Sequence, residues 1–282
     1  MQRNLETPLQ GDESNTGSTG SEFRRHLDGL WESQRDIRVE VDESPRLPKP
    51  DDFPSTIPVE ILDSEIGKDI EHCIVLLIHR RNTGTSLRDL ARWLRRSMPE
   101  SAFILIRGTV TEDILPKNLD YVWAPSDMDE SSGLLRSSRL ILEIVIKDGL
   151  IRKCFFPPRN IVIIGQSQGG TVSLASAASW NDIEFGGVIS IGGPLPPLFQ
   201  PPSPSKARTP ALVLGGEMGS VVSAALRQIR DSFLEIEDQI KSNADDTVPK
   251  SKDEIKPILD FLAHRLRREE WEKQAVISFG KV

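Results

Sequence analysis

Five predominantly apolar runs, often β-branched, punctuate the chain at 73–79, 102–107, 161–164, 185–191 and 210–216, the first two ending on His79 and Arg107. Apolar character without a polar alternate position predicts strands buried on both faces. Between them the pattern changes to helical spacing. Over 85–97, Leu87, Leu90, Ala91 and Leu94 share one face and arginines occupy the other. A long helix is predicted over 133–151, with Leu134, Leu140, Ile141, Ile144 and Val145 facing inward. Further helices are expected over 171–178, 221–231 and 253–273, an edge strand over 58–63 and a short last strand over 233–237.

Strands alternating with helices of this length require parallel pairing and right-handed crossovers. The predicted fold is therefore α/β, a three-layer sandwich around a mostly parallel central sheet. The stretch 108–132 has no strong periodicity, but it carries Tyr121 and Trp123 and is expected to pack beside a pocket. The proline-dense stretch 194–210 is expected to be an exposed excursion. At the amino end, residues 1–20 are polar and nearly devoid of large apolar side chains, which predicts mobility. A short amphipathic helix is expected over 23–31, and 44–54 is dense in proline and reads as extended linker. Residues 1–57 are thus read as a flexible tail and linker, and 58–282 as the folded domain.

Candidate chemistry sits after the run at 161–164. Gly165, Gln166, Ser167, Gln168 and Gly169 match G-x-S-x-G between a predicted strand and a predicted helix. That context marks a nucleophile elbow. The sharp turn forces the serine into a strained conformation above the sheet edge. Glycines are needed on either side because a Cβ there would strike the strand or the helix. Ser167 then stands at a helix amino terminus, where unpaired N–H groups favour a developing oxyanion. There is no G-x-G-x-x-G after a strand, no P-loop, and no metal-spaced cluster of cysteine and histidine, so no cofactor and no metal is expected.

Composition narrows the setting. Hydrophobic residues make up 38% of 282, low for a fully packed chain of that length and accounted for by the polar tail. A net charge of −7 disfavours nucleic acid as partner. Two cysteines, Cys73 and Cys154, make no disulfide framework and fit a reducing compartment. No apolar run is long enough to span a membrane, and the polar start lacks a signal-peptide core, so the expected location is cytoplasmic.

The residues from about 58 to 266 resemble an α/β hydrolase of the phospholipase/carboxylesterase type, the group that includes acyl-protein thioesterases. The likeness rests on the elbow with glutamine after the serine, on Leu77, Ile78 and His79 followed by a Thr-Gly turn and Leu87, and on the strand at 185–191 running into Gly192, Gly193 and Pro194. The resemblance implies Ser167 as nucleophile and the N–H of Gln168 as one oxyanion donor, with the loop at Arg80 and Arg81 supplying the other. It also implies an acid after the strand at 210–216 and a histidine before the last helix. Gly219 stands where the acid is expected, and the 243–249 loop holds Asp245 and Asp246 but no histidine. Of the four histidines, His26 and His264 read as surface residues and His72 as structural. His79 is nearest Ser167 by topology, as a substitute base or as a brace for the oxyanion loop, and Asp246 is a candidate orienting group or weak base.

Two readings follow. The first is a serine-dependent carboxylic ester or thioester hydrolase with a diverged triad, acting on a small-molecule substrate. The alternative is a catalytically inactive member of the same fold that binds a ligand or partner, with a pathway accessory protein as a weaker third.

Overall fold

A two-residue period hidden inside the apolar runs sorts their side chains onto opposite faces of one sheet. The computed structural model describes residues 44–62, 69–78, 87–108, 110–111, 121–124, 129–221, 223–242 and 244–266. The strands are β1 (Val59–Leu62), β2 (His72–Ile78), β3 (Ser101–Arg107), β4 (Val110–Thr111), β5 (Tyr121–Val122), β6 (Ile161–Gln166), β7 (Gly187–Ile191), β8 (Ala211–Gly216) and β9 (Ile236–Lys241). Seven of them form a sheet in the order β1-β3-β2-β6-β7-β8-β9. β1 runs antiparallel to β3, and every other pairing in that sheet is parallel. The pairing of β4 with β5 is a separate two-residue ladder.

Helices α1 (Leu87–Ser97), α2 (Glu130–Leu140), α3 (Gln168–Ala178), α4 (Ser223–Ser232) and α5 (Lys252–Arg265) cover both faces. On one face Val75, Leu77, Ile104, Ile163, Val188 and Val213 pack against α2, α3 and α4. On the other, Ile74, Leu76, Phe103, Val162, Ile164 and Leu212 pack against α1 and α5. Neighbouring residues of one strand therefore serve different layers, which is why the runs show no polar alternation. The three-layer α/β sandwich expected from the sequence is the fold observed.

Three local expectations change. The long helix is α-helical only to Leu140 and continues as a π-helix over Ile141–Lys153, ending with the Cys154 N–H donating 3.1 Å to the Gly149 carbonyl five residues back. The apolar pairs Ile141 and Leu142, Val145 and Ile146, Leu150 and Ile151 recur at that wider spacing, and all six are buried. The last strand is β9, shifted toward the carboxyl end from 233–237, because Phe233 is buried beyond α4 and the alternation begins at Ile236. The 194–210 excursion is not simply exposed, since it buries Leu195, Phe199 and Ala207. Expectations for residues 1–43, including the short helix over 23–31 and His26, lie outside the described residues.

The proline-dense stretch read as linker is part of the packing. Phe53 and Ile57 are buried in the core, and an alanine Cβ at Gly149 would stand 2.5 Å from the Phe53 ring. Asp52 is buried and receives both guanidinium nitrogens of Arg46 at 2.9 and 2.6 Å and the Lys49 N–H at 2.7 Å. Arg46 N–H in turn donates 3.1 Å to the Cys154 carbonyl. The Arg46 bond holds the Asp52 carboxyl down to about 2, from an ordinary 3.8. Burial pushes the neighbouring Cys154 thiol up to about 12, leaving it protonated and unreactive.

Because the folded value lies below the unfolded one, the Asp52 contribution is complete above about pH 4 and is lost as pH falls through 2. With Arg46 40% exposed and partly screened, that contribution is about 1–2 kcal/mol. Urea unfolding of Asp52→Asn against wild type is expected to give that difference at pH 7 and a shrinking one below pH 4.

Candidate active site

In an open α/β sheet, ligands meet the carboxyl ends of the strands. β6 lies centrally, between β2 and β7, and its carboxyl end passes into α3 through a single residue, Ser167. Ser167 has φ 52° and ψ −124°, outside the regions that L-residues favour. Such a residue costs about 1–3 kcal/mol and persists only where its surroundings over-determine it. Here the Ser167 N–H donates 2.8 Å to Ile191 O on β7, and its carbonyl accepts 3.0 Å from Thr171 N in the first turn of α3.

Two glycines make the bend possible by close approach. A Cβ at Gly165 would collide with the Gly169 carbonyl, and one at Gly169 would collide with the Leu77 carbonyl of β2. The first turn of α3 thus meets the ends of β2 and β6 through backbone, while Val172, Leu174 and Ala175 further along the helix pack into the core. Gln168 is the first residue of α3, where an N–H has no carbonyl within the helix to reach. Its side-chain amide donates 2.7 Å to Glu130 Oε1 at the start of α2. Asp129 caps that helix by accepting 2.9 Å from Ser132 N. The Trp123 ring, expected to pack beside a pocket, is buried, and its Nε1–H donates 3.1 Å to the carbonyl of Ile78.

The remaining candidates separate. β2 runs parallel to β6 with Leu77 opposite Gly165, so the chain leaves β2 beside the elbow; His79, Arg80 and Arg81 come next and lie outside the described residues. His72 sits at the other end of β2, about 16 Å of strand before Leu77, and is buried. His264 is exposed on α5. Asp246 comes in from the loop after β9. Its carboxylate accepts 3.0 Å from the N–H of Gly216, the last residue of β8, and 2.6 Å from Ser220 N in the turn that follows. A Cβ at Gly219 would collide with that carboxylate. The place where an acid was expected to follow β8 is therefore filled by an aspartate reaching across from the next loop.

The loop is anchored on its far side by α5, whose start is fixed by a capping box: Ser251 Oγ accepts from Glu254 N at 3.3 Å, and Glu254 accepts from Ser251 N at 3.2 Å. Beside it a small cleft of about 50 Å³, lined by Gln239, Asp245, Thr247 and Glu254 among others, does not include Ser167.

A family model described as phospholipase/carboxylesterase matches residues 68–264, the range that contains this strand, serine and helix. The chain belongs to the phospholipase/carboxylesterase family. Members of this family are hydrolases of the α/β-hydrolase fold, and the sheet described above is that fold. Among solved structures, the chain is similar to esterase PE8, with TM-score 0.56 and 19% identity over 74% of this chain and 98% of that one. It is also similar to a phospholipase/carboxylesterase from Dyadobacter fermentans (0.52, 16%, 79% and 100%) and to SOBER1 from Arabidopsis thaliana (0.52, 18%, 69% and 99%). At these identities the structures share the fold with this family member. No curated protein matches its sequence. Among the described residues no helix is long and apolar enough to cross a membrane.

Glu130 and Gln168 are 38 positions apart, and nothing in local sequence could pair them. Asp246 was visible as a candidate, but its engagement with the turn after β8 depends on a glycine at 219 that only the fold brings to it.

That engagement has a measurable signature. Gly219→Ala is expected to destabilise the native protein by about 1–3 kcal/mol, because the new Cβ displaces a bonded carboxylate. In an Asp246→Ala background the same substitution should be nearly neutral, a non-additivity that a thermal-denaturation double-mutant cycle measures.

Proposed function

We propose that the protein is a serine-dependent carboxylic ester or thioester hydrolase. The observation that carries this reading is the backbone of Ser167, held at φ 52° between a central parallel strand and a helix amino terminus, in a chain of the phospholipase/carboxylesterase family. Strain of that kind is retained where it serves to lift a side chain clear of the sheet.

The chemistry follows from the positions. Ser167 Oγ attacks the carbonyl carbon of a small-molecule ester or thioester and gives up its proton to a base. The carbonyl oxygen takes the electron pair and meets the N–H of Gln168, with the Arg80–Arg81 loop as the second donor. The tetrahedral intermediate collapses by breaking the bond to the alkoxide or thiolate, which takes the proton from the base. Water then releases the acyl group from Ser167 by the same steps in reverse order of partners. His79 is the base in this reading, on the strength of the β2–β6 register that brings the end of β2 alongside Gly165. Asp246 is assigned an orienting role rather than a basic one. Both of its oxygens are already engaged in accepting backbone hydrogen bonds.

A fluorophosphonate probe is expected to label the wild type and not Ser167→Ala. Hydrolysis of p-nitrophenyl esters should fall by at least about a thousandfold in Ser167→Ala and by about a hundredfold or more in His79→Asn. A chain-length series of those esters then defines the acyl group. A folded wild type that neither labels nor hydrolyses overturns the enzyme reading.

A further inference from the structure

The chain leaves β7 through a turn that grips Ser167 by its backbone. Ile191, the last residue of β7, offers its carbonyl to the Ser167 N–H at 2.8 Å. Two residues on, Gly193 lies against the other end of the same residue. A Cβ at Gly193 would stand 2.5 Å from the Ser167 carbonyl oxygen and would also strike Thr171 N, which donates to that oxygen. Residues 191–193 therefore bear on both the N–H and the carbonyl of Ser167, while its side chain takes no part in the grip.

One buried hydroxyl closes that turn. Ser190 stands opposite Gly165 in the β6–β7 register and is fully buried. Its Oγ donates 2.7 Å to the Gly193 carbonyl and so ties residues 190–193 together from within. The same oxygen lies against the first turn of α3, 2.5 Å from where a Cβ on Gly170 would stand. The outer side of the turn is fixed independently. The Gly192 N–H donates 2.7 Å to the Leu214 carbonyl of β8, and at its φ of 69° a side chain there would run into the Cβ of Asp246. Ser190 thus works between two backbones, β7 and α3, that meet at the nucleophile elbow.

We propose that Ser190 is a positioning residue for the nucleophile, holding the 191–193 turn against the backbone of Ser167. The inference rests on the reading of Ser167 as nucleophile. A serine at φ 52° relaxes unless its neighbours forbid it. Without the Ser190 hydroxyl the buried Gly193 carbonyl loses this donor, and the turn is freer to move away from Ser167. Ser167 Oγ is then aligned with the reacting carbon for less of the time. That loss falls on the bond-forming step, where alignment counts, and spares the binding that precedes it.

The test is the rate of covalent labelling by a fluorophosphonate, measured against probe concentration so that initial binding and the bond-forming step separate. Ser190→Ala is expected to slow the bond-forming step roughly threefold to tenfold, the size of one buried hydrogen bond, with the half-saturating concentration unchanged. Ser190→Cys keeps nearly the same shape and a weak S–H donor, and should recover part of the rate. Ser176→Ala controls for stability alone. Its hydroxyl bonds the Val172 and Ser138 carbonyls away from the elbow, so its loss should lower the thermal midpoint and leave labelling at the wild-type rate. Wild-type labelling by Ser190→Ala, or a loss confined to its half-saturating concentration, overturns the positioning role and leaves the hydrolase reading intact. So does Ser190→Cys labelling no faster than Ser190→Ala, or Ser176→Ala slowed as much as Ser190→Ala. Absence of Ser167-dependent labelling in the wild type overturns both.

Discussion

The site depends on one contact that side chains are kept out of. Where α3 begins, its backbone lies against the end of β2, with Gly169 facing the Leu77 carbonyl and Gly165 facing the Gly169 carbonyl. Protein interiors are packed closely enough that an extra methyl group at such a point has nowhere to go. Everything the serine does follows from that proximity. It forces β6 to pass into α3 through one residue, it sets Ser167 at a positive φ, and it brings the amino end of α3 directly over the strand ends.

Around that contact the molecule is built in layers of decreasing tolerance. The alternate residues of β2, β3, β6, β7 and β8 are almost all fully buried, so the sheet offers the elbow a rigid floor. The surroundings are held by longer-range polar contacts: Glu130 to Gln168, Trp123 to Ile78, and Asp246 to the end of β8 and the turn after it. Behind the domain, the Arg46–Asp52 pair draws residues 44–57 against the π-helical continuation of α2, with Phe53 filling the space that Gly149 leaves open.

Much of this was legible in the sequence because it rests on local rules. Unbroken apolar runs such as 161–164 have one structural solution in an alternating chain, and the spacing of Gly165, Ser167 and Gly169 carries its own steric reason. The misreadings have physical causes too. Phe53 and Ile57 were lost among prolines, since extended backbone gives no periodicity by which to recognise a buried side chain. The π-helix was read as ordinary helix because Leu140, Ile141, Ile144 and Val145 satisfy a 3.6-residue spacing up to the point where the wider register takes over. The Glu130–Gln168 bond joins distant segments and leaves no local trace.

The way Asp246 occupies its place bears on how such a protein can change. Its carboxylate stands in the volume that a side chain at position 219 would need, and two backbone amides reward it for staying. A mutation that placed an acid at position 219 would arrive in a filled space and be selected against for stability alone. Only a lineage that first shortened residue 246 would find the position open. The glycine and the aspartate thus act as a ratchet, each making the loss of the other's alternative harder to reverse.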